Sequence, residues 1–213
     1  MDLNKYLNLA RQAKAEDNSE DAKTYYNKVR EEDPENGEAK FFYAYYSLYE
    51  GTNRELPTRF ANLCKVLPLS IKAIERSELE KVEKIKSIEE IVEAFVPETF
   101  SENRYMNSKN RETKIGDSYV RVFENSAISS CCKAGMMTLK ALGDQLELLF
   151  NSDPECKRLA VIAWKEYVSL SQKFYAYAVK GDVEIYSEKI KKVDPTYVTP
   201  PKAGCISPAN SKK

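Results

Sequence analysis

The fold of this chain is decided by residues 6–37, which read YLNLARQAKAEDNSEDAKTYYNKVREEDPENG. Their apolar and small side chains recur at spacings of three and four residues, which is the period of one face of an α-helix. Two such faces follow one another, made first of Tyr6, Leu9, Ala10 and Ala13 and then of Ala22, Tyr25, Tyr26 and Val29. The pattern predicts two helices, over residues 2–16 and 19–33, that form an antiparallel hairpin.

Local signals place the ends of these two helices. The polar residues between the two faces include Asn18 and Ser19, either of which is placed to cap the second helix. Pro34 ends that helix, because proline has no amide donor and restricts the backbone of the residue before it. The small residues Ala10 and Ala22 would let the two helix backbones approach closely.

The order of large, small and turn residues from Tyr6 to Pro34 resembles the tetratricopeptide repeat (TPR), a helix-turn-helix unit with a period of 34 residues. One period further on, a second copy keeps part of the pattern at Tyr43, Ala44, Gly51, Phe60, Leu63 and Pro68. It departs from the pattern at Lys40, Ser47 and Leu56, and no third copy follows. The resemblance therefore covers residues 3–36 well and extends in part to about residue 66, and an ordinary helical hairpin is the alternative.

The resemblance implies a ligand-binding groove, because the first helix of each TPR lines the concave face of the repeats. At the positions that contact ligand there, this chain has Leu7, Arg11, Lys14, Phe41, Tyr45 and Leu48. Residues 41–49 are so aromatic that one helix face cannot hold all their rings, and an aromatic wall beside Arg11 would suit a peptide with apolar anchors and an acidic group. The alternative is that these rings pack on the helices that follow. The lysine and asparagine of TPRs that bind chaperone tails are missing, because Leu7 and Arg11 stand at those positions.

The composition favours an all-α protein without catalytic chemistry. Glycine is scarce, at 7 of 213 residues, and 33 basic residues balance 33 acidic ones, so the chain lacks the positive field that nucleic-acid binding requires. Histidine is absent, which removes His-based acid–base catalysis and most catalytic zinc sites. No glycine-rich phosphate loop is present either. We therefore expect neither an enzyme nor a cofactor nor a metal site, although carboxylate or lysine chemistry stays open.

Cysteine usage indicates a reducing compartment, and hydropathy predicts no membrane span. The five cysteines are odd in number and have no C-x-x-C spacing, so we expect free thiols rather than disulfides or zinc ligands. No stretch approaches the roughly 20 apolar residues of a membrane span, and the first residues do not read as a signal peptide. The expectation is a cytoplasmic protein with no membrane partner.

Beyond the repeat the sequence predicts long helices. Helical apolar spacing covers residues 57–76, 79–96, 117–150, 154–180 and 183–193. Pro68 is expected to kink the first of these helices, and Pro97 to end or bend the second. Asn151-Ser152-Asp153-Pro154 predicts a turn and cap, with Pro154 at the first position of the fourth helix. Residues 98–116 are polar and fit either a loop or an exposed helix. The small residues in 126–135 favour close packing against a neighbouring helix over a switch or a dimer contact.

These elements give three parts: TPR-like units in residues 1–68, a helical bundle in residues 69–194 that caps them, and a flexible tail in residues 195–213. The tail is rich in proline and ends in lysines, so it cannot build a core. Its start is similar to the linker of uncharacterised bacterial TPR-like proteins, although the zinc-ribbon or cysteine-containing segment of those proteins is not present in full.

Two functions fit this organisation. The first is a non-catalytic adaptor that binds a protein or peptide in a TPR-like groove. The second is a structural helical domain that packs intramolecularly or self-associates, without an external ligand; an enzyme is a distant third. The two differ in whether Arg11, Phe41 and Tyr45 line an open concavity or lie under residues 70–195.

Overall fold

The structure is a computed structural model that describes the backbone of residues 3–50, 55–112, 118–150, 153–173 and 178–202, and the side chains of the same residues except 100–130 and 132. All regular structure in this part of the chain is helical, as predicted, and α-helices account for more than two thirds of the full length. The helices are α1 (Leu3–Ala15), α2 (Ser19–Glu32), α3 (Gly37–Tyr46), α4 (Leu56–Arg76), α5 (Lys81–Glu112), α6 (Ser118–Leu149), α7 (Pro154–Lys173) and α8 (Asp182–Val193), with a 3₁₀ turn (Ser47–Tyr49) after α3.

The first two helices lie within a residue of their predicted bounds. α1 packs on α2 and α2 on α3, and Ala10 and Ala22 are fully buried. Asn18 caps α2, because its side-chain oxygen accepts a hydrogen bond from the backbone N–H of Asp21 at 3.2 Å. Asp17 has a φ of 55°, a left-handed conformation that aspartate tolerates. Membership of the TPR family stays a prediction.

Both α4 and α5 continue through a proline. Pro68 lies inside α4. Of the two alternatives predicted for Pro97, that it ends the helix or that it bends it, the first is wrong, since α5 continues through this residue. A proline removes one amide donor, and here buried residues hold the helix on both sides: Phe95 and Thr99 are fully buried, and Thr99 Oγ1 donates to the carbonyl of Phe95 at 3.0 Å. The backbone of residues 98–112 is therefore helical, while residues 113–117 lie outside the described part.

Two glycines mark where helices come closest. A Cβ atom added at Gly37 would lie 2.4 Å from the backbone oxygen of Ser70, so α3 and α4 meet almost backbone to backbone. A Cβ atom at Gly135 in α6 would lie 2.9 Å from Thr99 in α5 and 3.1 Å from Phe60 in α4. This end of the small-residue stretch is thus a close helix contact, as predicted.

The last three helices are joined by caps and buried polar groups. Asp153 caps α7, because its Oδ1 accepts hydrogen bonds from the second and third amides after it at 2.9 and 3.2 Å, and Pro154 takes the first helical position as predicted. At the start of α8, the buried Asp182 accepts hydrogen bonds from Lys140 Nζ in α6 and from the hydroxyl of Tyr167 in α7, each at 2.6 Å. One carboxylate therefore ties three helices together.

A single hydrophobic cluster extends from α1 to α8 and so crosses the predicted boundary at residue 68. The segment after α8, which composition assigns to a flexible tail, contacts the helices at two points. Tyr197 packs against the core, and Thr199 Oγ1 donates to Ser187 Oγ at 2.9 Å; residues 203–213 lie outside the described part. None of the described helices combines the length and apolarity needed to cross a bilayer.

Candidate functional site

One concavity among the described residues, here called the N-terminal groove, has a volume of about 980 Å³. α1 contributes Leu3, Leu7 and Arg11 to its lining, and the turn before α3 contributes polar residues. The opposite wall consists of the end of α4 and the start of α5. The groove thus lies between the first helix of the chain and the fifth, with α3 beneath it, because α3 contacts both α4 and α5.

An ion pair between the half-exposed Arg11 and the buried Glu38 lies in the lining of this groove. Arg11 donates from Nε to both oxygens of Glu38, at 3.0 and 3.2 Å, and from Nη2 to Oε2 at 2.6 Å. Glu38 is 4% exposed and also accepts a hydrogen bond from the hydroxyl of Tyr26 at 2.9 Å. The hydrogen bonds to Glu38 raise the pKa of Arg11, and burial, aided by Glu38, raises the pKa of Tyr26. The guanidinium of Arg11 therefore already has a carboxylate partner within the protein.

A second ion pair marks the end of the groove. Lys14 Nζ in α1 lies 2.5 Å from Glu90 Oε2 in α5, so the pair bridges the two helices that flank α3. One helical turn away on the same two helices, Arg11 and Ser87 line the N-terminal groove. Lys14 and Glu90 instead line a second concavity of about 400 Å³. The pair therefore separates two neighbouring cavities.

The second concavity, here called the tyrosine cavity, has four aromatic residues among the ten that line it, all from the end of α3 and the 3₁₀ turn. These are Phe42, Tyr45, Tyr46 and Tyr49. The carboxylates of Asp17, Glu90 and Glu93 lie around them. Lys14 Nζ is 4.0 Å from the centroid of the Phe42 ring, a distance typical of a cation–π contact.

The structure divides the six residues predicted to bind a peptide into three pairs. Leu7 and Arg11 line the N-terminal groove, while Lys14 and Tyr45 line the tyrosine cavity. The prediction is wrong for Phe41 and Leu48, which are 0% and 1% exposed and have no surface to offer a ligand.

The physical reason lies in how α3 sits in the protein. Helices contact α3 on several sides, since it packs on α2, α4 and α5, so an aromatic ring on almost any face meets protein. Phe42 and Tyr46 stack on Tyr26 of α2, with ring centroids 5.2 and 6.4 Å apart. The alternative that these rings pack on neighbouring helices is thus correct for Phe41, Phe42 and Tyr46, all of them buried.

Two exposed leucines in the groove were not predicted. Leu69 at the end of α4 is 59% exposed, and Leu79 in the turn before α5 is 40% exposed. Both line the N-terminal groove. Leu79 belongs to the helical apolar spacing of residues 79–96, which predicts a buried side chain, and no local pattern distinguishes Leu69 from its apolar neighbours.

Two of the buried thiols are poor nucleophiles at neutral pH. Burial raises the pKa values of Cys64 and Cys156 to about 11, and Cys131 is buried as well. A thiol needs its thiolate form to react. Among the described residues, no cluster of three or more His, Cys, Asp or Glu side chains has the geometry to hold a metal ion.

Comparisons of this chain with protein-family models, with curated proteins and with solved structures found no match. The geometry of the two cavities is therefore the basis for assigning a function.

Proposed function

We propose that this protein is a non-catalytic adaptor that binds a segment of a partner protein in the N-terminal groove. The observation that supports it is a groove of about 980 Å³ with the exposed side chains of Leu69 and Leu79 in its lining. Ligand sites commonly have volumes of about 300–1,000 Å³. Exposed leucines inside a concavity are where the apolar anchors of a partner would lose contact with water.

The charges around the groove favour a basic partner segment. Arg11 and Lys40 are already paired with Glu38 and Glu35. The other charged residues of the lining are the acidic Asp33, Glu78, Glu80 and Glu83 and the basic Lys72 and Arg76. The sequence suggested an acidic group on the ligand because of Arg11, but Glu38 already holds that guanidinium. A segment with leucine-sized anchors and lysine or arginine residues complements this surface better.

Selection from a displayed random-peptide library tests the proposal. We expect peptides that combine apolar and basic residues to be enriched on the full chain. Leu69→Ser should weaken their binding by about thirtyfold, because truncating one buried anchor typically costs about 2 kcal/mol. The matched control is Leu148→Ser, since Leu148 is 79% exposed and is not part of the groove lining. Equal binding to both variants, or no enrichment on the wild-type chain, would rule out the groove as a peptide site.

The structural alternative is supported by a different observation. Phe41 and Leu48 belong to the core, and the pair of Lys14 with Glu90 bridges α1 and α5, so this region is partly filled by the protein itself. If the exposed leucines serve self-association, sedimentation equilibrium should show a dimer that Leu69→Ser dissociates and Leu148→Ser preserves. A monomer in all three proteins would leave self-association without support.

A further inference from the structure

The tyrosine cavity combines aromatic rings with carboxylates. The ring of Tyr45 stands at 82° to Phe42, 75° to Tyr46 and 78° to Tyr49, with ring centroids 5.4 to 6.2 Å apart, so these rings pack edge to face on one another. Together they line a volume of about 400 Å³. An aromatic ring attracts a cation through its quadrupole when the cation lies within about 6 Å of the ring centre.

The protein already places one ammonium group in this environment. Lys14 Nζ lies over the face of Phe42, 4.0 Å from its centroid, and is paired with Glu90. This internal contact shows which chemistry the cavity wall accommodates: a positive charge held between an aromatic face and a carboxylate. The ring of Tyr49, which is 58% exposed, stays accessible to a second cation.

The remaining polar groups of the cavity also favour a cation. Asp17 and Glu93 are exposed residues of the lining, and the charge of Glu90 is offset by Lys14. The hydroxyl of Tyr49 donates to Glu98 at 2.8 Å and lies 3.4 Å from the hydroxyl of Tyr45. Burial raises the pKa values of Tyr45 and Tyr49, so both phenols stay neutral. The cavity thus has neutral rings within a negative rim.

We propose that the tyrosine cavity binds a methylated ammonium group, either as a small quaternary amine or as the side chain of a methylated lysine. A primary ammonium carries three N–H donors that need acceptors, and Lys14 already pairs with the half-buried carboxylate of Glu90. A quaternary ammonium has no donors, and ring faces together with nearby carboxylates satisfy it. The site is distinct from the N-terminal groove, and its ligand does not depend on the function proposed for that groove.

Calorimetric titration of the full chain with choline tests this inference. The control ligand is the uncharged isostere of choline in which a carbon atom replaces the quaternary nitrogen. We expect choline to bind and the isostere to bind at least tenfold more weakly, because shape and apolar area are the same and only the charge differs. Equal binding of the two ligands, or no binding of choline up to millimolar concentrations, would overturn the proposal.

A parallel titration distinguishes the two sources of the group. A short peptide with one trimethylated lysine is compared with the same peptide carrying an unmodified lysine. Tighter binding of the methylated peptide than of choline assigns the site to a protein side chain. Tighter binding of choline assigns it to a small quaternary amine.

Variants then locate the binding site. Tyr49 is 58% exposed, so Tyr49→Leu keeps an apolar residue while removing the ring, and we expect choline affinity to fall by about two- to thirtyfold. Tyr49→Phe keeps the ring and should retain binding. Glu93→Gln at the rim should weaken binding, whereas Glu20→Gln, an exposed residue at the start of α2, should not. If Tyr49→Phe loses as much affinity as Tyr49→Leu, or if both glutamate variants behave alike, choline does not bind in this cavity.

Discussion

Glu38 is the residue whose environment most constrains the N-terminal half. A carboxylate that is 4% exposed loses nearly all its hydration, and that loss is compensated only if its oxygens are hydrogen-bonded. Arg11 and Tyr26 supply those hydrogen bonds from α1 and α2, while Glu38 itself lies in the first turn of α3. Side chains from three helices therefore meet at one charge. A substitution at Arg11 should lower the stability of the protein whether or not a ligand binds.

Replacing Arg11 with methionine should destabilise the protein by about 1–3 kcal/mol, because it leaves a buried carboxylate with one remaining donor. The Arg11 side chain is 41% exposed, which places the effect below that of a fully buried pair. Arg11→Lys should destabilise the protein less than Arg11→Met, since lysine keeps the positive charge and loses only the bidentate hydrogen bonds of the guanidinium. Urea denaturation measures both, with Gln12→Met at an exposed neighbouring position as the control. Equal urea midpoints for Arg11→Met and Gln12→Met would show that the ion pair does not contribute to the free energy of unfolding.

At the scale of elements, the packing of α1 on α2 depends on two alanines without exposed surface, Ala10 and Ala22. A leucine at either position has to find space for three more carbon atoms between helices that already touch. We expect Ala10→Leu and Ala22→Leu each to destabilise the protein by roughly 1–3 kcal/mol. Thermal unfolding provides the measurement, and Ala15→Leu at the exposed end of α1 is the matched control. Unchanged melting temperatures at both buried positions would mean that this contact is misassigned.

Helix positions were predictable from the sequence because their signals are local. Apolar periodicity, the Asn18 cap and the sequence Asp153–Pro154 each act within a few residues, and all three have their predicted roles in the structure. Pro97 shows the limit of such signals. The local rule ends a helix there, but buried residues on both sides keep α5 continuous.

The candidate site was less predictable because it depends on contacts between distant segments. Arg11 and Glu38 are 27 residues apart, and Lys14 and Glu90 are 76 residues apart, so no spacing rule pairs them. The direction of Phe41 and Leu48 is likewise set by helices that follow in the chain. Both cavities have residues of α1 and α3 in their linings, but the sequence could not say which side chains of these helices face them.

At the scale of the whole molecule, tyrosines take part in the core on both sides of the predicted boundary. Tyr26 and Tyr46 are buried in the N-terminal half, and Tyr167 and Tyr186 in the C-terminal half. Tyr167 and Tyr186 also donate to the carboxylates of Asp182 and Asp144, at 2.6 Å in each case. Because the hydrophobic cluster is continuous, removing one of these tyrosine side chains should lower the stability of the whole chain. With no histidine in the sequence, no side chain has an ordinary pKa near 6.5.

These tyrosines predict a cooperative alkaline unfolding. Burial raises the pKa of Tyr46 to about 12 and raises the pKa values of Tyr26, Tyr167 and Tyr186 as well, whereas an unfolded tyrosine titrates near pH 10. Groups with a raised folded pKa contribute their full stability below about pH 10 and lose it as the pH rises through their folded values. Above about pH 10, each such tyrosine should lower the free energy of unfolding by up to about 1.4 kcal/mol per pH unit.

Tyrosinate absorbance and far-UV circular dichroism, followed together from neutral to alkaline pH, measure this transition. We expect the exposed tyrosines to ionise first with helicity unchanged, and the buried ones to ionise together with the loss of helix between about pH 10 and 12. Tyr186→Phe removes one ionisable hydroxyl while keeping the ring. If the variant is as stable as the wild type at neutral pH, its alkaline unfolding transition should be less steep. If all 14 tyrosines ionised near pH 10 while the helices persisted, the rings described as core would have to be accessible to solvent.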